Sequence, residues 1–310
     1  MEPFIVCVYI LAAKNISFRS IIKWAFVFGT IYLILIIFLS QLGIVTDLVY
    51  SRGVGTRARH ALGTAYPTIV SMRFFYLVMY YLYLKKFKLR IHNYLIIFLL
   101  NILVYYYTDT RLDSYIIFIV LIVVLFYKNI VNILKSKFGY ITVSIPVSLF
   151  FVTMYLSFNY NPNSLFYYNL NDILSSRLYY GNLAFKLYTP EFFGKEIYLQ
   201  GLGGLQGYNN FLNTYFFLDS GFLVSVFEYG TLFTFVTMLI ITMAMFKWKK
   251  NENYNLIICT IIMSVYAMIS GSIFSSTNFF IVGLIAILDS KDKRRKYKNQ
   301  NLDINLDKPI

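Results

Sequence analysis

Five arginines carry most of the chemistry this sequence can do. Arg52, Arg57, Arg59, Arg111 and Arg177 stand in polar stretches between long apolar runs, where lysine is scarce. A guanidinium is planar, permanently charged and offers a rigid fork of donors that grips phosphate at two points, whereas a lysine ammonium is a hydrated point charge. Arginines gathered in this way point to a phosphorylated ligand. The competing reading is salt bridging within the same stretches to Asp47, Asp109, Asp113 and Asp172, which contributes little at an exposed surface.

The elements that must position these arginines follow from composition. The chain has 310 residues, 58% hydrophobic and 14% charged, with a mean hydropathy of +0.62. That balance belongs in a membrane and excludes the soluble classes. The apolar runs are close to the roughly 20 residues a helix needs to cross the hydrocarbon core, and lipid cannot satisfy open backbone, so they read as helices. Eight spans are expected, at 24–45, 66–84, 93–107, 114–127, 140–158, 220–246, 255–272 and 276–288. The opening run 4–13 is short and lacks the basic n-region and small-residue cleavage site of a signal peptide; with it the count is nine.

Basic residues favour the cytoplasmic side. One alternation satisfies this, with 14–23, 85–92, 128–139, 247–253 and the tail from 289 inside, so the C-terminus is expected in the cytoplasm. Sixteen of the twenty inner basic residues are lysine, while five of the seven outer ones are arginine. General basicity would not sort them so; the net charge of +14 reads as a topology determinant, not as a nucleic-acid signal. The expected organisation is N-terminal spans over 1–158, a large extracytoplasmic loop over 159–219, C-terminal spans over 220–289 and a basic tail over 290–310. The fold class is therefore an all-α integral membrane protein, a polytopic bundle of eight to nine transmembrane helices with one large outer loop.

That loop has aromatic residues throughout and no long charge run, so it is expected to form short helices capping the outer face. Gly201, Gly203, Gly204 and Gly207 lack the strand before and the Lys-Ser/Thr after that a phosphate loop requires; a flexible hinge or simple spacing fits them equally. Outer tyrosines, Tyr179, Tyr180, Tyr188 and Tyr208 in particular, are candidates to stack on sugar rings, against the commoner role in helix packing and interfacial belts. Cys7, Cys259, His60 and His92 have no metal or disulfide spacing, and no metal or cofactor is implied. Arg73 and Glu228 fall within expected spans, where a charge should face the bundle interior; they pair with each other or touch a ligand. Nine residues separate Asp219 from Glu228, which puts them on roughly opposite helix faces.

Three segments, in this order, resemble the Wzy-type polymerases of oligosaccharide repeat units that build capsules, exopolysaccharides and O-antigens. The first is 59–68, with Arg59, then Leu62-Gly63, then Pro67 entering the next span. The second is Thr108-Asp109-Thr110-Arg111. The third runs from 170 to Arg177 through Phe193-Gly194 to Asp219 and Gly230. The resemblance covers about 52–246. Tyr66 and Thr68 stand where the family often has His and Asn, the hairpin 269–278 lacks an acidic residue, and the eleventh position after Arg177 is Tyr188 where some relatives have glycine.

The resemblance implies a GT-C-like, O-antigen-ligase-like fold in the bacterial cell membrane with an extracytoplasmic active site. It implies a metal-independent glycosyltransferase acting on an undecaprenyl-pyrophosphate-linked oligosaccharide, with a chain-length regulator and a flippase as pathway partners. Arg59, Arg111 and Arg177 would meet the donor pyrophosphate, where negative charge develops as the glycosidic bond breaks, and Arg52 and Arg57 would guard the entrance. His60 or Asp219 would take the acceptor proton. Arg73, Tyr66, Asp109, Tyr180 and Glu228 complete the expected substrate contacts. A glycan ligase using the same donor is the alternative within enzymes. A flippase for the same lipid-linked sugar is the alternative outside them, although neither an internal repeat nor a charged path across the bilayer is evident.

Overall fold

The computed structural model describes residues 2–14, 16–52, 55–205, 215–270 and 278–287; Gly207, Tyr208, the centre of the 269–278 hairpin and the basic tail lie outside them. The chain is a helical bundle. After α1 (Glu2–Ala12) comes α2 (Phe18–Gln41), whose first turn is capped by the Ser17 side chain accepting from Ser20 N–H. Only Ile22, Leu33 and Ser40 of its 24 residues are buried, and Trp24, Phe28, Ile34 and Phe38 are each more than half exposed. An apolar helix bare on most of its circumference requires an apolar solvent.

A two-stranded hairpin, β1 (Val49–Tyr50) with β2 (Arg59–His60), pairs Tyr50 with Arg59. α3 (Pro67–Leu84) begins on a proline pre-set for a first helical turn and is the central helix, with eleven of its 18 residues buried. It packs against α2, α4 (Ile91–Thr108), α5 (Arg111–Leu125) and α12 (Tyr254–Ile269), and Phe75 stacks on Tyr266 with ring centres 4.2 Å apart. α5 bends by 71° into α6 (Tyr127–Lys135). A 3-10 turn (Lys137–Ser144) leads into α7 (Ile145–Phe158).

Segment 159–219 contains α8 (Leu165–Ile173) and α9 (Arg177–Leu187). α9 packs on α7: Asn182 Nδ2 donates to the carbonyls of Ser157 and Phe158 at 3.0 and 2.9 Å. At Gly181 a Cβ would stand 2.7 Å from Ser157 Oγ.

Among the described residues, four helical stretches are long and apolar enough to cross a membrane: α2, α4, Lys137–Phe158 and α11 (Thr231–Lys250). The bent pair α5–α6 makes five if it is one span. The others are shorter, broken or, like the 18-residue α3, less apolar. The span expected over 220–246 divides into α10 (Gly221–Val224), a π turn (Ser225–Tyr229) and α11. The break falls at Gly230, φ +96, where a Cβ would lie 2.3 Å from the Gly194 nitrogen. Glu228 therefore lies in the π turn before α11, not nine residues into a continuous helix as its spacing from Ser220 implies. A 3-10 segment (Phe279–Ile287) ends the described chain.

Candidate functional site

Three connections meet at one end of the bundle: 42–66 between α2 and α3, 109–110 between α4 and α5, and 159–219. They enclose a cavity of about 460 Å³ whose lining includes Arg52, Arg59, Arg111, Arg177, Tyr66 and Asp219.

Each arginine is placed by local backbone. Arg59 sits on β2, 6% exposed, with Nε donating to the Thr108 carbonyl at 3.2 Å and Nη1 to the Tyr66 hydroxyl at 3.4 Å. Tyr66 is held at the start of α3 with its ring edge-on to Tyr50. The α4–α5 turn depends on Asp109 taking a left-handed φ of 48°, an arrangement that Asp tolerates better than most residues. That reversal puts Arg111 at the first position of α5, facing the cavity. Ser175 and Ser176 are both left-handed, at φ 52° and 67°, and deliver Arg177 at the start of α9. Consecutive non-glycine residues in that region cost free energy and concentrate at functional sites.

Arg177 is the most tied of the four. Nη2 meets Asp219 Oδ2 at 3.2 Å, Nη1 donates to the Leu174 carbonyl at 3.2 Å and Nε to the carbonyl of Ile269. Arg52 pairs with Asp109 Oδ2 at 3.5 Å and donates to the Asp109 carbonyl at 2.8 Å. Salt bridging thus accounts for two of the arginines. Arg59 has no carboxylate partner, and Arg111 makes no hydrogen bond or ion pair, among the described residues.

Positive charge is crowded here. Burial first, and then the neighbouring Arg59, push the Arg52 guanidinium below its ordinary value, with Asp109 acting the other way. Asp219 keeps about a third of its side chain open to the cavity, yet surrounding protein desolvates it and raises its carboxyl above the usual range against the pull of Arg177. Tyr215, also on the cavity wall, is raised by burial and by Asp219.

Other expected site residues lie elsewhere. His60 points away: its Nδ1 meets Asp47 Oδ2 at 2.6 Å, and Asp47 Oδ1 accepts from Leu62 N–H. It does not line the cavity, whereas Asp219 does. Arg57 lies over the Tyr106 ring at 4.7 Å, outside the lining. Asp109 acts through Arg52 and does not itself line the cavity. Tyr180 contacts it only indirectly, edge-on to Tyr215 at 5.1 Å. Tyr188 stacks on Phe216, and Tyr179 is half exposed. Arg73 faces a different groove, over Tyr32 of α2, whereas Glu228 lies beside the loop, with its carbonyl where a Cβ on Gly194 would stand. Gly204 N–H donates to the Ala65 carbonyl at 2.8 Å, so it braces the Arg59–Tyr66 loop, and Gly201, Gly203 and Gly204 do not line the cavity.

Several wall residues are not singled out by the sequence as ligand contacts. Thr56, Thr68, Thr110, Ser175 and Ser176 supply hydroxyl-bearing side chains, and Asp172 joins them from the end of α8. Asp113, read from sequence as a loop ion-pair partner, is instead buried in α5, accepting from Ser71 Oγ at 2.6 Å and Tyr266 Oη at 2.8 Å. Its position two residues after Arg111, at the mouth of an apolar run, was the available clue, since a carboxylate is favoured in a first helical turn.

Comparison with known proteins finds no matching family model, no matching curated protein and no matching solved structure. Among the described residues no group of three or more His, Cys, Asp and Glu is placed to hold a metal ion.

Proposed function

We propose that this chain is a Wzy-type polymerase. It would cross the bacterial cell membrane eight or nine times, open its arginine cavity to the outside, and join lipid-pyrophosphate-linked oligosaccharide units into a surface polysaccharide. The observation that carries the reading is the set of four arginines from three separate connections around one cavity, two of them without a carboxylate partner among the described residues. Such a cavity suits an anion with several oxygens in preference to a single carboxylate.

In the transfer, a hydroxyl of the acceptor unit attacks the anomeric carbon of the donor glycan. The bond from that carbon to the pyrophosphate oxygen breaks, and its electron pair leaves on the pyrophosphate. Arg59, Arg111 and Arg177 stabilise the charge that develops there. The hydroxyl proton passes to Asp219, whose raised proton affinity suits a base. The hydroxyl-bearing residues of the wall fit sugar, and the apolar helices below fit the lipid carrier.

The test deletes the gene and examines lipid-linked and surface glycans by mass spectrometry. The gene is then restored as wild type or as Arg59→Ala, Arg111→Ala, Arg177→Ala combined, with membrane insertion verified. Surface glycan reduced to a single repeat unit, rescued by wild type alone, supports the reading. Long polymer stranded on its carrier would assign a ligase, repeat units trapped inside the cell a flippase, and full-length polymer lacking a substituent a modifying enzyme.

A further inference from the structure

Arg73 belongs to a second hollow with different chemistry. A groove of about 620 Å³ runs between α2, α3 and the 3-10 segment, walled by Trp24, Phe28, Leu77, Tyr80 and Phe279. Gly29 lets α2 and α3 approach closely along the groove, since a Cβ there would come within 2.9 Å of Leu77 Cδ2. Among the described residues of the lining, Arg73 is the one ionised group and no Asp or Glu joins it. Among the described residues Arg73 makes no hydrogen bond or ion pair, and its Nε is buried without a partner. The guanidinium carbon stands 4.3 Å from the centre of the Tyr32 ring. A π face attracts the charge but leaves most of the guanidinium donors without acceptors.

Such a cation on a helix inside the membrane is costly unless an anion meets it. Arg73 is six residues into α3, about 9 Å below the end that carries the arginine cavity, within reach of a lipid headgroup for a long side chain. The groove continues from it toward Ser20 and Ile16 at the opposite end of α2, along a helix whose apolar surface is largely bare. Polar head at one end and apolar channel beyond it is the profile of an amphiphile.

We propose that this groove holds an anionic phospholipid of the surrounding membrane, its phosphate on Arg73 and one acyl chain along α2 and α3. A zwitterionic lipid fits less well, because no carboxylate in the groove receives its ammonium. A soluble anion fits less well, because the walls are apolar. The site is separate from the arginine cavity and stands whether or not the chain is a polymerase.

The chain has two tryptophans; Trp24 lines the groove and Trp248 is buried. The full chain carrying Trp248→Phe is reconstituted in phosphatidylcholine vesicles containing a small fraction of brominated lipid. Brominated phosphatidylglycerol is expected to quench Trp24 several-fold more than the same fraction of brominated phosphatidylcholine. Arg73→Gln should abolish that preference and Arg73→Lys keep it. Equal quenching by the two lipids before any change at Arg73 would overturn the proposal, as would a preference that survives Arg73→Gln. Should Arg73→Gln fail to insert, Ala25→Phe narrows the groove without touching the charge, and an unchanged preference in that variant is equally fatal.

Discussion

The two ends of this bundle carry positive charge in opposite ways. At one end the arginines are held: Arg59 between the Thr108 carbonyl and Tyr66, Arg52 on Asp109, Arg177 on two carbonyls and Asp219. At the other end Lys23, Lys85, Lys86, Lys88, Lys128, Lys135 and Lys137 all lie exposed. Fixed donors around a cavity are pre-organised for a ligand and need little rearrangement to bind it. Exposed lysines act as a diffuse field, which suffices to hold a segment at an anionic leaflet.

The comparison breaks first if the held arginines can be exchanged freely. On the proposed polymerase reading, Arg59→Ala should lower polymer synthesis in isolated membranes by about 10²–10³-fold, the range for losing one pre-organised donor to a developing oxyanion. Arg59→Lys should recover little of it, because the fork geometry is lost. Lys85→Ala with Lys86→Ala should leave synthesis per inserted molecule unchanged. Comparable losses at both ends would remove the distinction.

One residue at the lysine end departs from its neighbours and sharpens the contrast. Lys249 is buried, its ammonium donating to the carbonyls of Leu134 and Ser136, so it joins α11 to the end of α6. Lys249→Met leaves both carbonyls without that donor, at about 1–3 kcal/mol for each unsatisfied group. A lowered midpoint of thermal unfolding in detergent is expected, with activity per folded molecule retained. A buried cation at this end supports structure; at the other end it faces a cavity.

How much of this could be read beforehand differs between fold and site. The helical elements were legible because lipid demands long apolar runs, and α2, α3, α4 and α7 fall within or beside the expected spans. The break at Gly230 was not, since Gly230 and Gly194 meet only through a contact between distant segments. Arg52, Arg59, Arg111 and Arg177 stood out because arginine is unusual in those loops, and the cavity gathers all four. Arg57, of the same type and only two residues from Arg59, turns to the Tyr106 ring instead, because it lies in the unpaired turn before β2, where the strand register that places Arg59 does not reach it. Hydroxyl-bearing wall residues such as Ser175 and Ser176 are common loop residues, and only the backbone reversal that carries them reveals their place.

A pH profile probes the arginine end more gently. Asp219 has its carboxyl raised by desolvation, with Arg177 opposing. The ionised form is the disfavoured one, so Asp219 lowers folding stability as pH rises through the window between the unfolded and folded values. As the base of the proposed transfer it would act only when ionised, so on that reading synthesis should fall, as pH is lowered, at a higher pH than an ordinary carboxylate would give. Arg177→Gln removes the opposing charge and should move that acid limb further upward, while Asp219→Asn should eliminate it along with most of the activity. A limb that stays in place in Arg177→Gln would separate Asp219 from the proton transfer.

The smallest effect belongs to Arg57, and it tests whether position or residue type matters at this end. Its guanidinium lies 4.7 Å from the Tyr106 ring centre, it is exposed, and it stays out of the cavity wall although Thr56 and Arg59 on either side line it. A cation–π contact at an exposed site is worth about 0.5–1 kcal/mol, so Arg57→Ala should lower synthesis by no more than about fivefold and Tyr106→Leu by a similar amount. Because the two partners act through one contact, the double variant should be no worse than either single one. A loss as deep as that of Arg59→Ala would mean that Arg57 reaches the ligand directly, and that the boundary of the site lies outside the cavity wall drawn by Arg52, Arg59, Arg111 and Arg177.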